Sequence, residues 1–318
     1  MDASPTPREL TIQAPAKLNL FLEVLSRRED GFHEIETLMT TITRFDTLSF
    51  STNSENQVQF DCRWATGLQT QTQSPTAAMF KSLWGELPQR ENLVVRALEL
   101  LRRRAGVEQG VSVRLVKTIP AAAGMGGASS DAAAALQAAN QWWGIHWPIQ
   151  KLAALAAEIG SDVPFFFDGQ AAICRGRGER IEPLSDFRPI HIVVVCPPAG
   201  LATPLVYQHC RPASAAHEIS PLLQAARSGD SANIGRLLFN RLQEAAETLS
   251  PWIVRLRRAF DRADCWGHRM SGSGTSYFGV CRSRRHARQL AGALRAAGLG
   301  EAFACVAPAP FRFRRGGV

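Results

Sequence analysis

The sequence is poor in lysine, lacks long apolar runs and contains no closely spaced cysteine pair. Its seven cysteines are scattered without a Cys-x-x-Cys, which argues against a zinc site or a disulfide framework and favours a reducing, cytoplasmic setting. No run of about 18 apolar residues occurs, so we expect no membrane span. The opening residues MDASPTPREL also lack the basic-then-apolar layout of a signal peptide.

Arginine supplies almost all of the positive charge. The formal net charge is +8, and only four of the 36 Lys and Arg residues are lysines. Such a surface can attract nucleic acid or anionic metabolites. The arginines, however, cluster in helix-like segments such as Arg102–Arg104 and Arg255–Arg258, where solvated helix faces account for them. A nucleic-acid-binding protein stays open as an alternative, although no nucleic-acid motif is present.

The most informative segment is KTIPAAAGMGGASSDAAAAL, residues 117–136. Pro120 ends an extended run, three glycines follow, and Ser129 and Ser130 open an alanine-rich helix. Glycines let the backbone approach a ligand closely, and the first turn of a helix offers unpaired N–H groups and the positive end of its dipole. This order predicts a phosphate site. The alternative is a glycine-rich bend in which one of the serines is an ordinary N-cap.

The glycine pattern matches neither of two common nucleotide loops. A Walker loop needs a lysine after its last glycine, and none follows Gly127. A dinucleotide-binding fold places its glycines directly after a strand, with an acidic residue about 20 residues later. Here Pro120 intervenes, and residues 140–147 contain no acid.

The remaining chain predicts a mixed order of helices and strands. Leu18, Leu20, Leu22 and Val24 alternate with Lys17, Asn19, Phe21 and Glu23, which predicts a half-buried strand that carries Lys17 and Asn19 on its other face. The stretch 61–90, rich in Gln, Thr and Ser, is interpreted as a surface excursion. Periodicity further predicts helices at 91–106, 130–143, 149–159, 219–228, 231–247, 250–262 and 284–297, and buried strands at 163–167 and 190–196.

Several other segments contain residues that could take part in binding or catalysis, and most of them also have an ordinary structural interpretation. Lys17 faces either a cleft or, as an edge-strand lysine, solvent. Phe32 and His33 can bind a flat ring or simply form a turn. Asp162 is either a turn carboxylate or a base or metal ligand at a strand mouth. The segment MSGSGTSYFGV, residues 270–280, is a second glycine-rich turn entering a strand.

Three motifs occur in a fixed order: PAKLNL from residue 15, P-x3-G-x-GG-x-SS from residue 120 and MSGSG from residue 270. In this order they resemble the motifs of the GHMP kinase superfamily across essentially the whole chain, apart from 61–90. Gly-Phe-His at 31–33, Glu-Asn-Leu at 91–93 and Gly-Ser-Asp-Val-Pro at 160–164 are similar to the branch that phosphorylates the 2-hydroxyl of 4-diphosphocytidyl-2-C-methyl-D-erythritol. Kinases of the same superfamily that act on homoserine, mevalonate or a sugar remain the nearer alternative.

The resemblance implies an α+β fold with the two-domain GHMP kinase architecture. An ATP-binding domain would span residues 1–168 and a ferredoxin-like C-terminal domain residues 169–318, with the active site in the cleft between them. ATP would be the phosphoryl donor, and Mg²⁺ would be held mainly through the ATP phosphates rather than by protein ligands. The partner would be the small cytidine-diphosphate-linked alcohol, with no nucleic acid and no membrane, and the protein a monomer or weak dimer.

The resemblance also implies roles for individual residues. Asp162 matches the catalytic base, and Lys17 matches the lysine that polarises the hydroxyl and keeps Asp162 ionised. Phe32 and Tyr207 would stack on the cytosine, and His33 would bind its edge. The implied ATP-binding residues are Asn92, Lys117, Pro120, Ala121, Ala122, Ala123, Gly124, Met125, Gly126, Gly127, Ala128, Ser129 and Ser130; the implied substrate-binding residues are Asn19, Phe32, His33, Thr203 and Tyr207.

Three positions depart from the family pattern. Phe32 stands where a tyrosine is usual, Met125 where a leucine is usual and Ala128 where a glycine is usual. The alanine is tolerable only if its φ is negative.

Overall fold

Two β-sheets with helices packed on them form the molecule. The computed structural model describes residues 9–65, 92–121, 123–168, 170–212, 214–309 and 312–315. The strands in these residues are β1 Glu9–Arg27, β2 His33–Ser51, β3 Val58–Trp64, β4 Val111–Lys117, β5 Ala171–Gly176, β6 Arg180–Pro183, β7 Ile190–Cys196, β8 Phe239–Asn240, β9 Gly267–Met270, β10 Tyr277–Cys281, β11 Glu301–Ala307 and β12 Arg312–Arg315. The helices are α1 Leu93–Ala105, α2 Gly127–Trp142, α3 Ile149–Ala157, α4 Phe165–Asp168, α5 Thr203–His209, α6 Ser220–Ser228, α7 Ser231–Arg236, α8 Leu242–Leu249, α9 Pro251–Asp261 and α10 Arg284–Ala296.

The first sheet is built around the long antiparallel pair β1 and β2. Its main order is β12-β1-β2-β4-β3, with β5 also paired to β2, β6 to β5 and β8 to β1. The outer edge of β1 is shared, because β12 pairs with residues 10–13 and β8 pairs in parallel with residues 21–22. The part of β1 between these two partners carries Lys17 and Asn19, and it is where the candidate site forms.

The second sheet has the order β11-β7-β10-β9, and its neighbouring strands are all antiparallel. Along the chain, helices separate β7 from β9, a glycine-rich turn joins β9 to β10, and α10 connects β10 to β11. Apolar side chains of this sheet pack with those of β1 and β2 in one shared cluster, which includes Phe21, Ile42, Val194 and Phe278. The shared cluster fixes the turn between β9 and β10 against the first sheet.

The alanine-rich helix α2 lies at the centre of the first core. It packs against α1 and β1, and the side chains of Ala132–Ala135 are fully buried. Trp142 near its end contacts Phe50 of β2, with 6.3 Å between ring centroids. Because this layer is filled, a larger side chain at one of the alanines is expected to cost about 1–3 kcal/mol of stability. The helix start is therefore held on a rigid base.

Several sequence predictions are confirmed. The strand expected at 190–196 is Ile190–Cys196, and the helix expected at 91–106 spans Leu93–Ala105 and ends at a left-handed Gly106. The alanine-rich helix begins at Gly127, a little earlier than expected, so Ala128 lies in its first turn without a positive φ. None of the described helices has the length and apolar character needed to cross a bilayer.

Two predicted elements are wrong in type. Residues 163–167, expected as a strand, form a turn followed by helix α4, because a short apolar run does not distinguish a buried strand from a buried helical turn. The continuous helix expected at 231–247 is interrupted after Arg236 by the short strand β8. Pairing of β8 with β1 replaces the helical hydrogen bonds there.

Two further predictions are wrong, one about the burial of the strand around Lys17 and one about the extent of the surface excursion. The strand around Lys17 is not half-buried, since both of its faces are covered, and an edge-strand lysine facing solvent is therefore excluded. The excursion expected at 61–90 overlaps β3, which continues to Trp64 and pairs in parallel with β4. Residues 66–90 of that stretch lie outside the described residues.

Candidate active site

A cleft of about 2420 Å³ opens beside the part of the β1 edge that lies between β12 and β8. It brings together residues from β1, β2, the loop before α2, the turn before α4 and helix α5. The predicted site residues that line it are Lys17, Asn19, Phe32, His33, Lys117, Pro120, Ala121, Ala123, Gly124, Met125, Gly126, Gly127, Ala128, Ser129, Asp162, Thr203 and Tyr207.

Lys17 and Asp162 form an ion pair at the wall of this cleft. The Lys17 Nζ lies 3.8 Å from the Asp162 Oδ2; the lysine side chain is 7% exposed and the aspartate side chain 38%. Burial lowers the pKa of Lys17, and the charge of Asp162 opposes this shift. The pair therefore consists of a desolvated cation beside a carboxylate that still reaches the cleft.

Asn19 fixes the direction of the lysine. Lys17 Nζ donates a 2.7 Å hydrogen bond to Asn19 Oδ1, and Asn19 Nδ2 donates to Thr37 Oγ1 at 2.9 Å. Thr37 in turn donates to the Phe21 carbonyl. Each group in the chain donates to the next, so the ammonium is held in one position instead of rotating freely.

The two glycine-rich turns dock on the β1 edge beside these side chains. The main-chain N–H of Lys17 donates to the Met125 carbonyl at 2.9 Å, and the N–H of Asn19 donates to Ser271 Oγ at 3.2 Å. Ser271 Oγ donates onward to the Gly124 carbonyl at 3.3 Å. One strand segment thus positions the phosphate-loop candidate, the second glycine turn and the lysine together.

Gly124 is required where the turns meet. Its φ is +73°, and a Cβ there would lie 2.5 Å from the Ser271 carbonyl oxygen and 2.9 Å from that of Gly274. We expect Gly124→Ala to push the turns apart and to raise the KM for ATP by about tenfold or more, because small displacements of positioning groups are costly. Steady-state kinetics with varied ATP measures this.

Gly106→Ala is the matched control for Gly124→Ala. Gly106 has a similar φ of +66°, but a Cβ there would meet nothing within 4 Å. The control should lose only about 1 kcal/mol of stability from the left-handed conformation and keep its KM for ATP. Equal KM values for both variants would contradict the docking argument.

The start of helix α2 stands over a buried cluster of charges. Lys17 Cγ would lie 2.9 Å from a Cβ on Gly126, the left-handed N-cap residue, so the loop passes directly over the lysine. Lys117 contacts Asp46 and, at 2.5 Å, Asp131. Burial alone would lower the pKa of Lys117, but the two carboxylates beside it raise that pKa. Burial also raises the pKa of Asp131. This cluster ties β4, β2 and α2 together beneath the loop.

The opposite end of the cleft is aromatic. The rings of His33 and Tyr207 have centroids 5.1 Å apart, and Phe32 is 54% exposed. Burial and the charge of Arg27 lower the pKa of His33. A neutral imidazole has one donor and one acceptor nitrogen, so this end can bind the polar edge of a flat ring. Thr203 reaches the second glycine turn, with its Oγ1 2.8 Å from Ser273 Oγ.

Two of the predicted ATP-binding residues, Asn92 and Ser130, do not line the cleft. Asn92 caps helix α1, where its Oδ1 accepts from the Val94 N–H at 2.9 Å. Ser130 is fully buried, and its hydroxyl has no hydrogen-bond partner in the described part of the chain. Ala122 lies outside the described residues.

Sequence reasoning missed residues that brace the site. Asn240 donates from Nδ2 to the carbonyls of Met270 and Gly272, both at 2.8 Å, and so holds the second glycine turn. The helical pattern at 231–247 includes this position, and no feature of the sequence marks it as a site residue. Asp46 contacts Lys117, and no sequence motif marks it. The turn 177–179, which also lines the cleft, was signalled only by the glycines of RGRGER.

Comparison with known proteins agrees with this architecture. The family model of the GHMP kinases N terminal domain matches residues 92–170, and that of the GHMP kinases C terminal domain matches residues 222–299. A 4-diphosphocytidyl-2-C-methyl-D-erythritol kinase of Pelotomaculum thermopropionicum is 38% identical over 288 residues, which cover 89% of this chain and 92% of the relative.

Solved structures show the same fold. A crystal structure of 4-(cytidine 5'-diphospho)-2C-methyl-D-erythritol kinase superposes with a TM-score of 0.77 at 35% identity, covering 94% of this chain and 99% of that one. Homoserine kinase from Cytophaga hutchinsonii superposes with a TM-score of 0.71 at 18% identity, covering 99% of each chain, and this likeness concerns the fold alone.

The fold and the cleft define an ATP-dependent kinase that acts on a small molecule. More particularly, the chain belongs to the GHMP kinase family.

Proposed function

We propose that this protein transfers the γ-phosphoryl group of ATP to the 2-hydroxyl of 4-diphosphocytidyl-2-C-methyl-D-erythritol, a step of the non-mevalonate route to isoprenoid precursors. The observation that carries the proposal is the Lys17–Asp162 pair, 3.8 Å apart, set in a cleft with a glycine-rich helix start and an aromatic end. The 38% identity to a kinase named for this substrate supports the same choice.

In the proposed reaction Asp162 is the general base. Its carboxylate takes the proton of the substrate hydroxyl while the oxygen forms a bond to the γ-phosphorus, and the bond from that phosphorus to the bridging oxygen breaks to release ADP. Lys17 stabilises the negative charge that develops on the attacking oxygen. Asn19 holds Lys17 in place, so the ammonium needs no reorganisation during the step.

The loop 120–130 would bind the ATP phosphates through its main-chain N–H groups and the start of α2. Lys117 and Asn92 complete the proposed ATP set, although their present partners are carboxylates and the α1 N–H respectively. Mg²⁺ would be held mainly through the ATP phosphates and would supply positive charge that neutralises them. This ion prefers oxygen ligands, and Ser129 carries a hydroxyl and lines the cleft at the start of α2, whereas Ser130 is buried away from the cleft.

The aromatic end would select the cytosine. Phe32 and Tyr207 offer ring faces, and the neutral His33 offers both a donor and an acceptor to the base edge. Burial raises the pKa of Tyr207, so its hydroxyl stays uncharged. A phenylalanine at position 32 retains stacking without a hydroxyl.

Several broader features accompany this proposal. A ferredoxin-like C-terminal domain is supported by the second sheet. Along the chain its elements follow each other as β7, helices, β9, β10, α10 and β11, and in the sheet the strands lie in the order β11-β7-β10-β9. We propose the division at residue 168, although β5 and β6 pair with the first sheet. The seven cysteines are all free, which supports a reducing, cytoplasmic setting. We also propose a monomer or weak dimer that binds no nucleic acid.

A coupled assay of ADP release tests the function. Purified protein with Mg²⁺ and ATP is expected to release ADP when 4-diphosphocytidyl-2-C-methyl-D-erythritol is added, and not with homoserine, mevalonate or free sugars. Phosphorus NMR of the product should show a new phosphate monoester beside the diphosphate. Release with one of the other alcohols alone would keep the kinase activity and overturn the proposed acceptor.

A further inference from the structure

The turn between β5 and β6 joins the two ends of the cleft. Gly178 lies beside Asp162, the proposed base, since a Cβ on Gly178 would lie 3.8 Å from Asp162 Oδ1. The guanidinium carbon of the preceding Arg177 lies 4.8 Å from the centroid of the Phe32 ring. Both residues line the cleft. A single turn therefore contacts the reacting end and the proposed cytosine end at once.

Arg177 is the one arginine of this hairpin whose guanidinium has no carboxylate within 4.0 Å in the described residues, and its charge acts only at longer range, where it helps to lower the pKa of Asp30. Arg175 pairs with Glu36 at 2.8 Å and with Glu182 at 2.9 Å, and Arg180 pairs with Glu34. The main chain of Arg177 is fixed, because its N–H donates to Glu179 Oε2 at 2.5 Å. Its exposed side chain contacts only a ring face in the contacts described, and such a cation–π contact is weak at an exposed site.

Arg27 adds a second positive charge at the same end. It lines the cleft and lies opposite His33 in the β1–β2 register. Its neighbour Arg28 is paired with Asp30 and with Glu34, whereas Arg27 has no acidic partner within 4.0 Å in the described ranges. Two guanidinium groups with no carboxylate within 4.0 Å in the described residues thus lie at this end of the cleft, where the carboxylate of Glu179, which also lines it, accepts from the main chain of Arg177.

The chemistry of the proposed acceptor places a dianion here. Its diphosphate joins the cytidine to C4 of the alcohol, and only C3 separates that carbon from the one bearing the reacting hydroxyl. With the hydroxyl at Asp162 and the cytosine at Phe32, the diphosphate must pass the turn that carries Arg177. The planar guanidinium fork matches phosphate oxygens in charge and geometry.

We propose that Arg177 binds the diphosphate of the acceptor, with Arg27 strengthening the positive potential, and so restricts the site to nucleotide-linked alcohols. This inference rests on the proposed function. Arg177 is a specificity residue in this scheme: it leaves Phe32 and turns to the phosphates when the acceptor enters.

Calorimetric titration with two probes tests the role of Arg177. The parent, Arg177→Gln and the control Arg180→Gln are titrated with CDP and with cytidine, with a non-hydrolysable ATP analogue filling the phosphate loop. Arg177→Gln should weaken CDP binding about tenfold at low salt and cytidine binding less than about twofold. The CDP difference should shrink as salt rises, and Arg180→Gln should match the parent.

The possible outcomes separate the two proposals. If the parent binds CDP and Arg177→Gln binds it equally well, the role of Arg177 is overturned while the proposed function stands. Equal losses of CDP and cytidine, or an equal loss in Arg180→Gln, also overturn it, because packing or overall charge would then explain the effect. A parent that binds neither probe overturns both proposals. In turnover, Arg177→Gln should raise the KM for the acceptor and leave the KM for ATP unchanged.

Discussion

Asp162→Asn is expected to reduce kcat by about 10³-fold, within the range that general-base catalysis supplies. The amide has the size of the carboxylate but cannot take the proton of the attacking hydroxyl. The residue lies on the turn before α4 and is partly exposed, with its side chain 38% accessible, so the fold should not depend on its charge. Single-turnover ADP formation measures the chemical step, and equilibrium titration measures binding of ATP and acceptor.

Asp186→Asn is the matched control for Asp162→Asn. Asp186 also forms an ion pair, 3.1 Å from Arg227, and is 55% exposed, but it is not among the residues that line the cleft. It should retain the parent kcat. If Asp162→Asn also kept more than about a tenth of the parent rate, proton removal by Asp162 would be refuted and the aspartate would have only a positioning role.

The parts of the site that the sequence predicts are those with local signals. The glycines before α2 and the lysine in an apolar strand each restrict the backbone or the burial of their own residues, so the pattern alone predicts a phosphate site and leaves Lys17 either in a cleft or on an edge strand. Asp162 and the aromatic residues became specific only through the family resemblance. Their meeting in one cleft depends on contacts between distant segments, which no local pattern encodes.

The missed residues show why the remainder could not be predicted. Asn240 acts through two bonds to Met270 and Gly272, and these form only because β8 pairs with β1. A two-residue strand has no periodicity to detect, so the helical pattern around it prevailed. Arg177 resembles its paired neighbours Arg175 and Arg180 in the sequence. Only the structure distinguishes the arginine that has no carboxylate within 4.0 Å in the described residues.

The second glycine turn also gains its meaning from the tertiary structure. In sequence it fits any tight hairpin, yet in the fold Ser271 accepts from Asn19 and donates to Gly124. A Cβ on Gly272 would lie 3.4 Å from Lys17 Nζ. The turn is therefore part of the support of the proposed catalytic lysine, which explains why short glycine motifs far apart in the chain occur together.

Lys17→Met should lower kcat by about 10²–10³-fold, as expected when a preorganised charge at the reacting oxygen is removed. Methionine fills a similar volume without the ammonium. Burial lowers the pKa of Lys17, so the charged form is disfavoured by the fold relative to the unfolded chain. The variant should therefore melt at the parent temperature or above it, and a loss of rate without a loss of stability marks a catalytic role. Thermal unfolding and single-turnover rates measure both quantities.

The pH dependence distinguishes Lys17 from a structural lysine. Since its pKa in the fold lies below the ordinary 10.5, the parent should lose activity on the alkaline side at a lower pH than free lysine would titrate. The Lys17→Met variant should lack this limb, because no proton remains to be lost there. Lys151→Met is the control: that lysine lies 3.5 Å from the centroid of the Trp147 ring, away from the residues that line the cleft, and its loss should change neither the rate nor the limb. An alkaline limb that survives in Lys17→Met would assign the titration to another group and remove Lys17 from the chemical step.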